Sequence, residues 1–211
     1  MLAAPRAGAK GVSEREKWEK RYLDSDEPVY GREPSAFLAR SLPLLPTPGR
    51  CLDLGGGQGR NAVFLARRGW EVTLADAAIA GVARARGLAR REQVPLACVV
   101  ADLAARGLAV REASLDLVLM INYHDHRAVT EAGTWLKRGG ALVVEGFAQE
   151  QLGRRSGGPQ DPSFLWHPNE LLGVAGAFRV VWYEDRITAE DDNPRHHGPK
   201  WVVRLIARRT A

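Results

Sequence analysis

Three observations predict an α/β fold: strands and helices alternate along most of the chain, a glycine turn closes the first strand, and the last two strands have no helix between them. The expected architecture has three layers. A doubly wound, mostly parallel seven-stranded sheet carries helices on both faces and ends in an antiparallel C-terminal hairpin, with right-handed crossovers between its parallel strands.

The 211 residues, 45% hydrophobic and 26% charged, suffice for one sizeable core. Residues 1–12 are expected to be a flexible segment, and 13–211 a single domain whose residues 13–48 form an N-terminal helical cap. No apolar run is long enough to span a bilayer. Met1 to Gly11 holds Arg6 and Lys10 but no apolar stretch, so no secretory leader is expected. Cys51 and Cys98 fall in strand segments, where they pack as small hydrophobes, and a reduced, cytoplasmic setting follows. The net charge of +5 and pI near 9.5 invite a nucleic-acid partner. However, 25 of the 30 basic residues are arginines scattered along the chain, never in a run interleaved with aromatics. A solvated basic surface is the favoured reading, and nucleic acid is not the favoured partner. No feature sets a subunit number.

Taken in order, Ser13 and Glu16 have the spacing of a capping box and open a helix to about Leu23, broken by Asp24-Ser-Asp-Glu-Pro28. Tyr30-Gly-Arg-Glu-Pro34 is a turn. Ser35 to Leu42 reads as a helix stopped by Pro43, and Pro46 and Pro48 stiffen the connector into the first strand. The helix Gly59 to Arg68 stops at Gly69, and the strand Trp70 to Ala75 leads to Asp76. Ile79 to Arg91 is an Ala/Arg helix. Pro95 to Ala101 is an apolar strand reaching Asp102. Leu115 to Ile121 is the fourth strand, Ala128 to Lys137 a helix ended by Arg138-Gly139-Gly140, and Ala141 to Phe147 the fifth strand. A loop over 148–166, a helix from Pro168 to about Ala175, and strands Phe178 to Asp185 and Trp201 to Arg208 complete the chain.

The stretch Arg50-Cys-Leu-Asp-Leu-Gly-Gly-Gly-Gln-Gly-Arg-Asn-Ala62 organises the rest. Alternate glycines (Gly55, Gly57, Gly59) let backbone approach a ligand where a Cβ would intervene. A nicotinamide or flavin fingerprint has Gly-x-Gly-x-x-Gly, and Arg60 stands where its last glycine would be. The pattern here is Asp-x-Gly-x-Gly-x-Gly. It is similar to the first motif of the class I S-adenosylmethionine-dependent methyltransferases, a Rossmann-like family. Tyr30-Gly31, Leu52 to Asn61 and Leu136 to Gly140 extend the resemblance to the small bacterial tellurite-resistance and related small-molecule enzymes. It covers about Trp18 to Arg208, with Gly56 in place of the commoner Cys or Ala and Gln58 in place of Glu or Thr.

The resemblance implies S-adenosyl-L-methionine as cofactor, outside the carboxyl ends of the strands. Asp53 would face its cationic amino-acid end. Asp76, 21 residues after Gly55, would accept from the ribose hydroxyls, and Asp102 would meet the adenine amino group. Gly55, Gly56, Gly57, Gly59, Arg60, Asn61, Ala77, Leu103, Asn122 and Tyr30 complete the expected cofactor contacts, with Trp18 and Tyr22 placed to cover the ligand. Methyl transfer is an in-line displacement that needs positioning and exclusion of water, and a general base only for weakly acidic acceptors. Asn122-Tyr-His-Asp-His-Arg127 follows the fourth strand, so His124 is the first candidate base and Tyr123 the second, against a plainer role in capping or packing. His124, Asp125 and His126, with His196 and His197, lack any spacing diagnostic of a metal, and no metal is expected. The loops 148–166 and 187–199 are placed to act as lids.

The acceptor stays open. A small molecule is expected, because the Asn/Asp-Pro-Pro-aromatic motif that grips a flipped base and a Pro-Cys nucleophile are both missing. An RNA or protein methyltransferase, or a non-catalytic cofactor-binding scaffold, uses the same fold.

Overall fold

The computed structural model describes residues 13–105, 107–190, 193 and 195–210. The expectation for residues 1–12 lies outside them. The elements are α1 (Glu14–Leu23), α2 (Ala36–Ser41), β1 (Arg50–Leu54), α3 (Arg60–Ala66), β2 (Glu71–Asp76), α4 (Ile79–Arg91) and β3 (Ala97–Val100). They continue as β4 (Leu115–Ile121), α5 (His126–Trp135), β5 (Leu136–Ala148), β6 (Leu165–Trp166), α6 (Glu170–Val174), β7 (Phe178–Thr188) and β8 (Lys200–Arg209). The sheet order is β3-β2-β1-β4-β5-β8-β7, with β6 paired to β5 off this path. Strands β3 to β5 along this order run parallel, while β8 is antiparallel to both β5 and β7, so the expected hairpin closes the sheet.

Side chains alternate across the strands and divide the core in two. Cys51, Val72, Leu74, Leu117 and Leu119 face α3, α4 and the short α2, where Phe37, Leu65, Val82 and Ala85 meet them. Leu52, Leu54, Val118 and Met120 face the other way, onto Val129 and Ala132 of α5 and Leu171 of α6. Period-2 strands between two helix layers account for the three-layer build. Among the described residues no helix is long and apolar enough to cross a membrane.

Three features depart from the expected elements. A two-residue strand, β6, lies inside the loop expected over 148–166 and pairs Leu165 with Phe147 and Trp166 with Ala148. It makes the sheet eight-stranded rather than seven-stranded. The indole of Trp166 occupies the space beside Gly146, where an added Cβ would lie 2.8 Å from Nε1. Second, α5 begins at His126 and stops at Trp135, and β5 starts at Leu136, through the Arg138-Gly139-Gly140 expected to end the helix. Leu136 already pairs with Leu115, and Gly139 takes φ +81°, which lets the strand turn toward its core segment. Third, α6 is one short turn from Glu170, two residues after the expected start at Pro168.

Strand order reverses between β1 and β4, which both leave the sheet centre at their carboxyl ends. An open α/β sheet leaves its crevice at such a switch point.

Candidate functional site

The crevice opens above β1. Gly55, Gly57 and Gly59 all take positive φ (+65°, +53° and +85°), and Gly59 is the left-handed residue that enters α3. A Cβ at Gly55 would strike the Tyr123 ring at 2.7 Å, and one at Gly57 the Tyr22 hydroxyl at 2.5 Å. A side chain at either position would therefore be both strained and blocked. Gly56 is equally confined, by Leu74 and by the Asp53 carboxylate.

Asp53 lies under this loop at 1% exposure, and its Oδ2 has no hydrogen-bond partner among the described residues. Burial, and secondarily the nearby Asp76 carboxylate, push its pKa up to about 8 against the opposing pull of Arg60. An unpaired buried carboxyl oxygen is costly, and an arriving cation would relieve it. Asp76 is also buried but not orphaned: Oδ2 accepts from Gly57 N at 2.9 Å and Oδ1 from Ala78 N at 2.8 Å. Burial raises its pKa, while these backbone N–H groups pull the other way. Asp76 thus fastens the glycine loop to the end of β2. Each oxygen retains a further lone pair, so the ribose contact expected of it is compatible with this geometry.

The side chains of Arg60 and Asn61 also anchor neighbouring backbone. Arg60 Nη1 donates to the carbonyls of Tyr30 (3.1 Å) and Glu33 (3.0 Å), and Asn61 Oδ1 accepts from Ser35 N at 2.9 Å. Both line the crevice, yet these groups hold the N-terminal segment against the glycine loop. Gln58 does the same through Val29 N at 2.7 Å. The segment then covers the crevice. Both capping-box bonds between Ser13 and Glu16 are present, Glu19 accepts from Ala80 N, and Tyr22, Trp18 and Tyr30 form one aromatic cluster.

Ala77, Asp102 and Leu103 line the crevice beyond β2 and β3. Asp102 is exposed at the rim and accepts from Ala105 N at 3.1 Å. Asn122 turns the chain out of β4 in the left-handed region (φ +57°), a conformation asparagine tolerates, with its N–H on the Glu145 carbonyl.

Tyr123 packs on Gly55, and its hydroxyl is 3.3 Å from Asp125 Oδ2. Burial and that carboxylate raise its phenol further above the ordinary range, so it stays protonated near neutrality. The geometry suits packing better than proton abstraction. Burial, then His126, lowers the pKa of His124, whose buried Nε2 has no hydrogen-bond partner among the described residues. His196, 4% exposed, is a wall residue supplied by the loop expected over 187–199. Its ring lies 5.3 Å from Tyr30 and 4.7 Å from Phe147, and burial plus Lys200 and Arg195 push its pKa down to about 3. Both shifts favour the neutral imidazole.

The two loops expected as lids are joined to each other. Gly157 bridges to His196, and His197 N donates to the Ser156 carbonyl at 2.9 Å. Gln151, fully buried, ties them down: its Nε2 donates to Ser156 Oγ and the Gly157 carbonyl, and its Oε1 accepts from Trp201 N. No sequence signal singled out Gln151, because its partners come from two separate stretches of chain, 156–157 and Trp201. The whole cleft measures about 1930 Å³, part of it an outer groove past Arg84 and Arg91. A small-ligand pocket occupies roughly 300–1,000 Å³, so a cofactor and an acceptor fit together.

Residues 51–140 match the family model described as a methyltransferase domain. Among solved structures, geranyl diphosphate C-methyltransferase from Streptomyces coelicolor A3(2) superposes with a TM-score of 0.71 at 16% identity, over 96% of this chain and all (100%) of that one. That enzyme was determined with Mg2+, geranyl-S-thiolodiphosphate and S-adenosyl-L-homocysteine. TehB from Haemophilus influenzae gives 0.66 at 17% identity, over 93% of this chain and 67% of that one. These likenesses carry the fold. In sequence, 61 residues are 44% identical to part of Hemagglutinin 1 of Eikenella corrodens, covering 29% of this chain and 20% of that protein.

Proposed function

We propose that this chain, whose residues 51–140 match a methyltransferase-domain model, is a class I, S-adenosylmethionine-dependent methyltransferase that transfers a methyl group to a small-molecule acceptor. The observation that carries the acceptor reading is the joining of the two loops. The Gly157–His196 bridge walls the cleft beside Tyr30, Phe147 and His124, which limits the room for a polymer. The neighbours' small-molecule chemistry is consistent with this reading.

The cofactor's sulfonium and ammonium would lie over Gly55 to Gly57, with the orphaned Asp53 oxygen taking the positive end. Asp76 would hold the ribose and the Asp102–Leu103 edge the adenine. The acceptor enters from the His124–His196 side, where aromatic walls exclude water and keep the nucleophile in line with the methyl carbon. The acceptor's lone pair forms the new bond to that carbon as the carbon–sulfur bond breaks, leaving the thioether. Where the acceptor carries a proton, a neutral imidazole, His124 or His196, is available to take it; Tyr123, held protonated, is not. Both cysteines are thiols, in keeping with a reducing, cytoplasmic setting.

The test is to incubate the protein with methyl-labelled cofactor and, separately, total RNA, total DNA, a protein extract and a low-molecular-weight metabolite extract. Label is expected in the small-molecule fraction. Label in a polymer fraction that survives ~0.2 M salt, where loose ionic contacts are lost, would overturn the acceptor reading. Binding of NAD without binding of S-adenosylhomocysteine would overturn the cofactor reading.

A further inference from the structure

Behind the cleft wall, three metal-ligating side chains converge that the chain brings from separate places. His124 follows β4, His126 opens α5 and Glu170 opens α6. One ligand atom from each lies within 4.8 Å of the other two. His126 Nε2 and Glu170 Oε1 are 3.3 Å apart. The second carboxylate oxygen, Oε2, accepts from His167 N at 2.8 Å, which fixes the orientation of Glu170. Trp166 packs against both imidazoles, at 4.3 Å from His124 and 4.9 Å from His126, and fixes the rings from one side.

We propose that His124, His126 and Glu170 form a binding site for one divalent first-row transition metal ion. Two imidazoles and a carboxylate are a recurrent set for such ions, because borderline-soft nitrogen and hard oxygen together suit zinc and its neighbours. The observed spread needs only small side-chain rotations to bring three ligand atoms to ~2.0–2.2 Å from a common centre. Two further features favour a metal over a plain ion pair. An ion pair between His126 and Glu170 leaves His124 without a role, and the buried Nε2 of His124 has no other partner among the described residues. The Glu170 carboxylate is also supported by an outer hydrogen bond, as ligating carboxylates are.

Three protein ligands leave a fourth tetrahedral position for water or for a donor atom of a bound molecule. His124 itself lines the cleft, so this position borders the acceptor side. Ligation would engage a nitrogen of His124 and leave His196 as the cleft imidazole free of the metal.

The inference is tested with Zn2+ alone, without cofactor or acceptor, so its outcome is separate from that of the methyl-transfer assay. Chelator-stripped protein is titrated with Zn2+ by calorimetry, and bound metal is counted after dialysis. One Zn2+ per chain is expected, with Co2+ giving the visible bands of a tetrahedral site. His126→Ala and Glu170→Gln should each weaken binding by at least about tenfold, while His197→Ala should not. Unchanged S-adenosylhomocysteine affinity and an unchanged melting temperature in these variants would show that they fold. Absence of saturable binding, or binding that survives either ligand substitution, would overturn the site and leave an ion pair beside an idle histidine.

Discussion

Asp53 and Glu145 sit two strands apart in one sheet, nearly equally hidden (1% and 4% exposed), in opposite surroundings. Glu145 is built into the protein. Its Oε2 accepts from Arg204 Nε at 2.9 Å and lies 3.3 Å from Ser35 Oγ. Arg204 continues to Glu184 and Glu190, and Arg40 meets both of those acids in turn. The network knits β5, β8, β7 and α2 behind the loops. Asp53 has no such ion pair among the described residues, and burial favours its neutral acid over the opposing pull of Arg60. A buried carboxylate with an arginine against it supports the fold, and one left without a cation marks where a cation is awaited.

The comparison is broken most severely on the paired side. Arg204→Ala leaves Glu145 and Glu184 as neighbouring buried acids without their shared counterion. Removing one partner of a buried pair costs about 3–5 kcal/mol, read here as a fall in the urea midpoint. Replacing Arg204, Glu145 and Glu184 together by Met, Leu and Leu should recover most of that loss, since a packed apolar set needs no counterion. A single variant as stable as the parent would show that the network contributes nothing.

On the unpaired side the effect reverses sign. The folded-state pKa of Asp53, about 8, exceeds its unfolded value, so the folded protein holds this proton more tightly. The contribution of Asp53 to stability is therefore whole below the unfolded pKa of ~3.9 and is lost as pH rises through about 8. Asp53→Asn removes that loss. At pH ~8.5, above the folded pKa, the variant should be more stable than the parent by up to about 5 kcal/mol, with little difference near pH ~4. It should also bind S-adenosylmethionine more weakly. Calorimetry near neutrality in buffers of different ionisation enthalpy should show the parent releasing protons on binding. Parallel stability curves for the two proteins would show that Asp53 is not strained.

The same contrast separates what was legible in the sequence from what was not. Asp53, the three glycines and Asp76 follow one another within a single strand-turn-helix-strand unit, so local spacing alone places them on one crevice. The acceptor side is assembled from chain segments far apart. His124 meets Glu170, Gly157 meets His196, and Gln151 holds Ser156 and Trp201 together, pairings with no periodicity to announce them. The anchoring of the N-terminal segment by Arg60 and Asn61 was not legible for a related reason. Their partners, Tyr30, Glu33 and Ser35, are carbonyl and N–H groups of the backbone, which any sequence offers equally. Strand boundaries slipped where a glycine pair signals a stop by composition but supports a continuing strand by geometry, as at Gly139-Gly140.

The smallest effect tests whether the cover over the glycine loop belongs to the site. Helix α1 brings Glu19 to Ala80 N and Tyr22 to Gly57, and it is opened by the reciprocal bonds of Ser13 and Glu16. Ser13→Ala removes the hydroxyl that accepts from Glu16 N, leaving one end of an exposed ten-residue helix unsatisfied. Such a loss costs about 0.5–1 kcal/mol of helix stability at an exposed cap. If α1 must be ordered over the ligand, the cost is met on binding, and the S-adenosylhomocysteine Kd should rise by less than about fivefold, with Ser13→Asp restoring it. Hydrogen exchange should quicken in α1 and not in β1 or β4. Faster exchange in α1 with an unaltered Kd would separate the helix from the site, and would leave the glycine loop and Asp53 to hold the ligand without it.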